Sequence, residues 1–206
     1  MKKKLDFDIV VIANKHRKPI ILPYLEDVPY KIYYTPDFDL PPRWQPNPIY
    51  KGLVVHMHQH IGQHRCLEGH KNALNLAKKK NILVLEDDAE PNRPDWLDIC
   101  ISASSLLSSY EIVSVHSREP NYKIFNKELF DEENKLNAFF AKDNTSPRRC
   151  LGTLAYFIGK ENISRLQDHN YNGLPIDLFL CNCFNFCFVE PSPFNHNRSQ
   201  GSLIDL

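Results

Sequence analysis

One segment constrains this chain more than any other. Ile82-Leu83-Val84-Leu85 is a fully apolar run that delivers three consecutive acids, Glu86, Asp87 and Asp88, with Pro91 close behind. A short apolar run of this kind reads as a buried strand, and in open α/β sheets ligands bind outside the carboxyl ends of such strands. Three adjacent carboxylates repel one another, and a hard divalent cation such as Mg²⁺ or Mn²⁺ best offsets that cost. The other reading of an Glu-Asp-Asp tripeptide is a solvated acidic turn. The buried strand before it and the proline after it favour a site.

The surrounding pattern suits an α/β domain. Residues 8–14 (DIVVIAN) and 30–37 (YKIYYTPD) read as strands, and the intervening RKPIILPYLEDV suits a short helix broken at Pro23. Strand, helix, strand is the opening of a parallel sheet. Residues 38–50 hold four prolines and read as an ordered loop without regular structure. Residues 52–58 (GLVVHMH) read as a third strand, and 66–80 as a helix with Leu67, Leu74 and Ala77 near one face. A helix over 95–110 and a strand over 111–117 follow. Residues 151–169 combine a strand with a helix, and the aromatic, thiol-rich 178–194 is in part strand. The charged stretch 131–149, with Ser146-Pro147-Arg148-Arg149, reads as a mobile loop able to close over a ligand. No internal repeat appears. The expectation is one α/β domain over 1–206, a mostly parallel central sheet flanked by helices.

Composition narrows the function. The 206 residues are 42% hydrophobic and 24% charged, about one domain's worth of chain with enough apolar surface for a core. Lys+Arg is 25 and Asp+Glu is 25, so no global basic field exists to hold a nucleic-acid backbone or an anionic membrane. No apolar run approaches the ~18 residues of a membrane span. Asp6, Asp8 and Asn14 interrupt the start where a signal peptide stays apolar. A soluble, cytoplasmic protein without a membrane span is expected. Six cysteines, at 66, 100, 150, 181, 183 and 187, are too sparse for a disulfide scaffold and read as mostly buried, reduced thiols.

Several motifs occur together in order. A helix beginning Cys66-x-x-x-His70 precedes the strand and Leu85-Glu86-Asp87-Asp88-Ala89-x-Pro91. Leu151-Gly152-Thr153-Leu154-Ala155-Tyr156, Pro175-Ile176-Asp177-Leu178-Phe179-Leu180 and a tail from Pro191 through His196 to Ser202 follow. This series resembles the GT-A glycosyltransferases, especially glycosyltransferase family 25, the lipopolysaccharide and collagen sugar transferases. Their metal-binding segment, Gly-Thr-x-Ala-Tyr strand, Pro-x-Asp-x-x-Leu segment and closing Pro-rich segment are similar to these stretches. Gly69 departs from the family, which usually has Ser there, and the N-terminal part is similar in pattern only. The compact size is similar to minimal GT-A enzymes of bacteria and large DNA viruses.

The resemblance implies a GT-A-like domain with a nucleotide-binding half over about 1–90 and an acceptor half over about 91–206. It implies transfer of a sugar from a nucleotide-sugar, a UDP-sugar in the commonest pattern, to a hydroxyl of a glycan or glycoprotein. Mn²⁺ or Mg²⁺ would act as a Lewis acid on the leaving diphosphate. Asp88 would ligate the metal, with Glu86 and Asp87 facing the ribose and base. His196 would return to the same ion, unless it is a loop histidine bonded to backbone. Ala13, Asn14 and Arg17 after the first strand, and Thr35 and Asp37 after the second, would line the uracil and ribose crevice; each also suits a turn or helix cap. Arg65 and His70, on the segment leading into the acids, would reach phosphate; their other readings are a surface arginine and a capped histidine. Asp177 would be the general base of an inverting transfer, with Glu190 next in line; its other reading is the N-cap of the following helix.

Two clusters compete. His56, His58 and His60 alternate and would share one strand face, while His60 and His64 suit a helix turn, but no Cys or acid lies at zinc-ligand spacing. Cys181, Cys183 and Cys187 lie among phenylalanines and read as buried strand rather than a zinc knuckle. Two other functions remain open from sequence. One is a non-catalytic nucleotide- or carbohydrate-binding module. The other is a metal-dependent phosphohydrolase or nucleotidyltransferase, for which the second acid cluster is lacking.

Overall fold

The computed structural model describes residues 4–36, 57–116, 125–141, 153–169, 175–197 and 199. Its strands are β1 (Phe7–Asn14), β2 (Tyr30–Thr35), β3 (Asn81–Glu86), β4 (Ala89–Pro91), β5 (Ile112–Ser114), β6 (Phe125–Asp131), β7 (Leu136–Ala141), β8 (Ala155–Gly159), β9 (Phe186–Glu190) and β10 (Phe194–His196). The helices are α1 (Met57–Ala73), α2 (Trp96–Ser104), α3 (Ile163–Gln167) and α4 (Ile176–Cys183). The helix expected between the first two strands is a single 3₁₀ turn, Leu22–Leu25, with Pro23 in its first turn.

Alternation along β1 and β3 builds a sheet buried on both faces. Phe7, Ile9, Val11, Leu83 and Leu85 face one way, and α2 and the 3₁₀ turn cover them with Ile21, Leu25, Trp96, Ile99 and Cys100. Val10, Ile12, Ile82 and Val84 face the other way, under Leu67 of α1, Ile163 and Leu166 of α3, and Ile176 and Phe179 of α4. The chain is therefore an α/β domain of three layers, each sheet face forming one core.

Strand order is β2-β1-β3-β8-β5-β9-β7-β6. β1 runs parallel to β2 and β3, and β5 runs parallel to β9. β8 is antiparallel to both β3 and β5, β7 to β9, and β6 to β7. The sheet is mixed, which corrects the mostly parallel expectation. The reason is that β8 is buried along its whole length, like a central parallel strand, and an apolar run reports burial but not direction. β10 and β4 form a separate antiparallel ribbon.

Three further expectations change. Met57 and His58 belong to α1, so the expected third strand does not reach them; residues 52–56 lie outside the described residues, as do His56 and the 38–50 loop. His58 and His60 are thus helical and do not alternate on a strand. Cys181 and Cys183 end α4 and only Cys187 is on a strand, because the apolar run 178–188 holds a helix, a break at Phe184 and then β9. The charged stretch from Asp131 begins as a hairpin. Asn134 donates both its backbone N–H and its side-chain amide to Asp131, at 2.9 Å each, and β7 returns along β6; residues 142–150 lie outside the described residues. No disulfide joins the described cysteines, and Cys100, Cys181 and Cys187 are buried. No helix among the described residues is long and apolar enough to cross a membrane.

Two close contacts fix the layers. A Cβ at Gly69 of α1 would stand 2.8 Å from the Thr35 methyl at the end of β2, so the helix lies close against the sheet and a serine here would force the Thr35 side chain or the helix to shift. At the other end of these strands, Asp8 accepts hydrogen bonds from the backbone N–H groups of Lys78 and Lys79 and from the Lys31 ammonium. Burial alone would raise its pKa, but these donors outweigh that and hold it below the ordinary carboxylate value. Its stabilisation is present above the unfolded-state pKa and is lost as pH falls through the lowered folded value. Asp8→Asn is expected to cost about 1.5–3 kcal/mol at pH 7 and progressively less below pH ~4, as read from urea unfolding across pH.

Candidate functional site

The connection from β1 to β2 packs on the α2 face of the sheet, with Ile21 and Leu25, whereas α1, which leads from β2 to β3, packs on the opposite face. Along the strand order the chain leaves the carboxyl end of β1 toward β2 on one side and that of neighbouring β3, through α2, toward β5 on the other, and a crevice opens where they diverge. Asn14, Thr35 and Glu86 end β1, β2 and β3 at this edge, with Asn14 beside Thr35 and Ile12 beside Glu86. Across it the Asn14 N–H donates to Asp87 Oδ2 at 3.0 Å, and the Ile20 N–H to the Asp87 carbonyl at 2.7 Å.

Three consecutive acids leave β3 toward three different partners. Glu86 follows Ile82 and Val84 to the α1 face, where the Thr153 hydroxyl donates to it and His70 Nε2 lies 3.3 Å away. Burial works against its charge, but the hydrogen bonds with His70 and Thr153 outweigh it and hold the carboxyl below the usual range. Asp87 is buried beside β1. Desolvation pushes its carboxyl up to about 6 against the pull of the Asn14 N–H, with Asp88 adding to the rise and Arg17 opposing it. Asp88 turns outward to His196, whose Nε2 lies 2.8 Å from Oδ2. Each carboxylate thus has a donor within the chain, which offsets part of the repulsion that Glu86 and Asp88 still exert on Asp87.

The Asp88–His196 pair depends on the small ribbon. β10 pairs Phe194 with Pro91, Asn195 with Glu90 and His196 with Ala89, and the Asn197 N–H donates to the Asp88 carbonyl at 3.0 Å. Phe194 anchors the ribbon in the core against Trp96, while His116 donates from Nδ1 to its carbonyl at 3.0 Å. Asp88 Oδ1 is buried and has no hydrogen-bond partner among the described residues. A buried carboxylate oxygen without a donor is costly, and such an atom calls for an explanation.

Asp177 lies in the first turn of α4, and Pro175 occupies the N-cap position, so Asp177 is not the cap. With Ser114, Thr153 and Tyr156 it lines a cavity of about 10 Å³, near the smallest that holds a water molecule. Its charge, with those of Glu86 and Asp88, bears on the Cys66 thiol, so the acids of β3 and α4 share one neighbourhood. Ala13 is buried in β1, and the Thr35 hydroxyl donates to its carbonyl at 3.3 Å. The Asn14 side chain accepts the His16 N–H at 2.7 Å, which forms the turn out of β1. Arg17 stands near Asp87 in that turn. Arg65 is half-buried on α1, whereas His70 is fully buried with Nδ1 at 2.9 Å from the Tyr156 hydroxyl. Asp37 lies outside the described residues.

Cys66, Thr153 and Tyr156 join this neighbourhood without having been singled out as site residues. The i, i+4 spacing of Cys66 and His70, which puts both on one helix face, is the signal that points to them.

No family model matches the chain, and no curated protein sequence matches it. Among solved structures, A197 from STIV is similar with a TM-score of 0.38 and 12% identity, over 88% of this chain and 81% of that one. HddC from Yersinia pseudotuberculosis is similar with a TM-score of 0.35 and 14% identity, over 87% of this chain and 67% of that one. Likenesses at this level carry no argument about activity.

The Tyr156 hydroxyl is the partner of His70 Nδ1 at the centre of the core. Tyr156→Phe leaves that nitrogen buried without it, and is expected to cost about 1–3 kcal/mol, measured as a lower urea midpoint with unchanged far-UV circular dichroism.

Proposed function

We propose that this chain is a metal-dependent glycosyltransferase that moves a sugar from a UDP-sugar to an acceptor hydroxyl on a glycan or glycoprotein. The observation that carries the reading is Asp88, a strand-end carboxylate held to an imidazole and left with one buried, unpartnered oxygen. A carboxylate oxygen and a neutral imidazole are donors that Mn²⁺ accepts, and Asp88 Oδ1 has no competing protein donor among the described residues. Such a cation, when bound, supplies a Lewis acid for the charge developing on the departing diphosphate.

The chain's own groups supply the rest. Asp88 and His196 would hold the cation, and the ribbon that pairs them fixes their separation before any ligand arrives. Asp87 ties the β3 end to the turn after β1 through the Asn14 N–H, which keeps the nucleotide side of the crevice in shape. Arg17 and Thr35 flank that side, where diphosphate and ribose would lie, and Asp37 would accept the uracil N3–H. Glu86 faces His70 and Thr153, so its part is to hold the floor rather than to bind the nucleoside. Asp177 would take the acceptor's proton as its oxygen attacks the anomeric carbon.

Titration calorimetry with UDP and Mn²⁺ tests the metal site. Binding is expected in the unmodified protein and is expected to be lost in Asp88→Asn, with melting temperature retained; unchanged affinity would remove Asp88 from the reading. Binding without turnover across a panel of donor sugars would favour a non-catalytic module.

Asp177→Asn separates catalysis from folding. Turnover is expected to fall about 10²–10⁴-fold while UDP affinity and melting temperature stay near their original values. A stable variant with normal turnover would pass the role to Glu190, whose carboxylate accepts the Ser192 N–H at 3.0 Å.

A further inference from the structure

Behind the Asp88–His196 pair lies a second group of donors with different chemistry. Cys66 and His70 stand one helical turn apart on α1, and Glu86 meets them from the end of β3. The thiol sulfur, an imidazole nitrogen and a carboxylate oxygen all lie within 4.8 Å of one another. We propose that Cys66, His70 and Glu86 form a binding site for a thiophilic divalent cation of the zinc class, separate from the site for the hard cation at Asp88 and independent of whether the chain transfers sugars.

The geometry is close to what such an ion needs. Zinc bonds of about 2.0–2.3 Å place tetrahedral ligand atoms roughly 3.3–3.8 Å apart. His70 Nε2 and Glu86 Oε1 are already 3.3 Å apart. The remaining contraction is about 1 Å, within the reach of a cysteine rotamer and of a carboxylate rotation.

The supporting shell is built as well. Ligating histidines almost always engage their other ring nitrogen, which fixes the tautomer and aims the ligating one. Here Nε2 donates to the Glu86 carboxylate, which can only accept, while Nδ1 meets the Tyr156 hydroxyl at 2.9 Å; that hydroxyl oxygen can accept the ring proton at Nδ1 in the tautomer that frees Nε2 for a cation. The Thr153 hydroxyl donates to Glu86 and also contacts the Cys66 thiol, tying two of the three ligands together. Three protein donors leave a fourth position of a tetrahedral ion for an exogenous ligand.

The donor set selects the ion. A thiolate prefers zinc-class ions over Mg²⁺ or Mn²⁺, whereas Asp88 with His196 offers no sulfur. Burial, with Glu86 and Asp177 nearby, raises the Cys66 thiol well above its ordinary value, so it keeps its proton until a cation replaces it. The ion enters as a dication and one thiol proton leaves, so Cys66 becomes the thiolate ligand.

Cobalt(II) is the probe, titrated into the reduced protein. A thiolate-to-cobalt charge-transfer absorption saturating at one equivalent and bleached by Zn²⁺ is expected. It should persist in Asp88→Asn, which separates this site from the one in the proposed function, and vanish in Cys66→Ser. No such band in the unmodified protein, or a band that survives in Cys66→Ser, would overturn the site. Should Cys66→Ser not fold, X-ray absorption on the cobalt-loaded unmodified protein decides. One sulfur with nitrogen and oxygen donors supports the site, and no sulfur or several sulfurs refute it.

Discussion

Like charges on consecutive residues at the end of a buried strand are the constraint around which the rest of this molecule is arranged. A strand alternates its side chains, so Glu86 and Asp87 must go to opposite faces, and the chain has to provide a donor on each. On the helix side the donors are His70 and Thr153, and on the other side the donor is the N–H of Asn14. Asp88, beyond the strand, is met by a histidine from a ribbon that has no other place in the main sheet. Four segments remote in sequence are thereby brought to one edge, two answering Glu86 and one each answering Asp87 and Asp88.

The mixed sheet makes this possible. β8 runs against β3, so the start of β8, with Thr153 just before it, lies at the end of β3 where Glu86 sits. A parallel strand in the same place would bring its far end there instead. The reversed strand also places the Tyr156 hydroxyl against His70, so the helix layer and the sheet are joined by polar contacts as well as apolar ones. Buried polar networks of this kind are costly when incomplete and specify one arrangement when satisfied.

Burial was legible in the amino-acid pattern, and direction was not. Residues 8–14, 30–37 and 82–85 read as strands because they are short, apolar or β-branched and bounded by polar residues, and β1, β2 and β3 there form the parallel end of the sheet. The reversed β8, the hairpin of β6 and β7 and the ribbon of β4 and β10 escaped, because pairing is a long-range choice that a local period does not encode. The same division holds in the site. The acids stood out through their position after an apolar run, and Asp88 and His196 are indeed in contact. The turning of Glu86 away from the crevice, and its meeting with Cys66 and Thr153, depend on how α1 lies across the sheet, which Gly69 allows and no single window reveals.

The ribbon that brings His196 to Asp88 has a consequence for how the molecule is made. The two residues are separated by 108 positions, and a ribosome adding about 5–20 residues per second takes roughly 5–20 s to cover that distance. Throughout that interval the emerging polypeptide carries its acids without the imidazole, and β9, which completes the centre of the sheet, is also among the last strands to appear. The cleft therefore acquires its full set of side chains only as translation of this region finishes, and earlier chains display an acid-tipped half-sheet to the chaperones and ions around them.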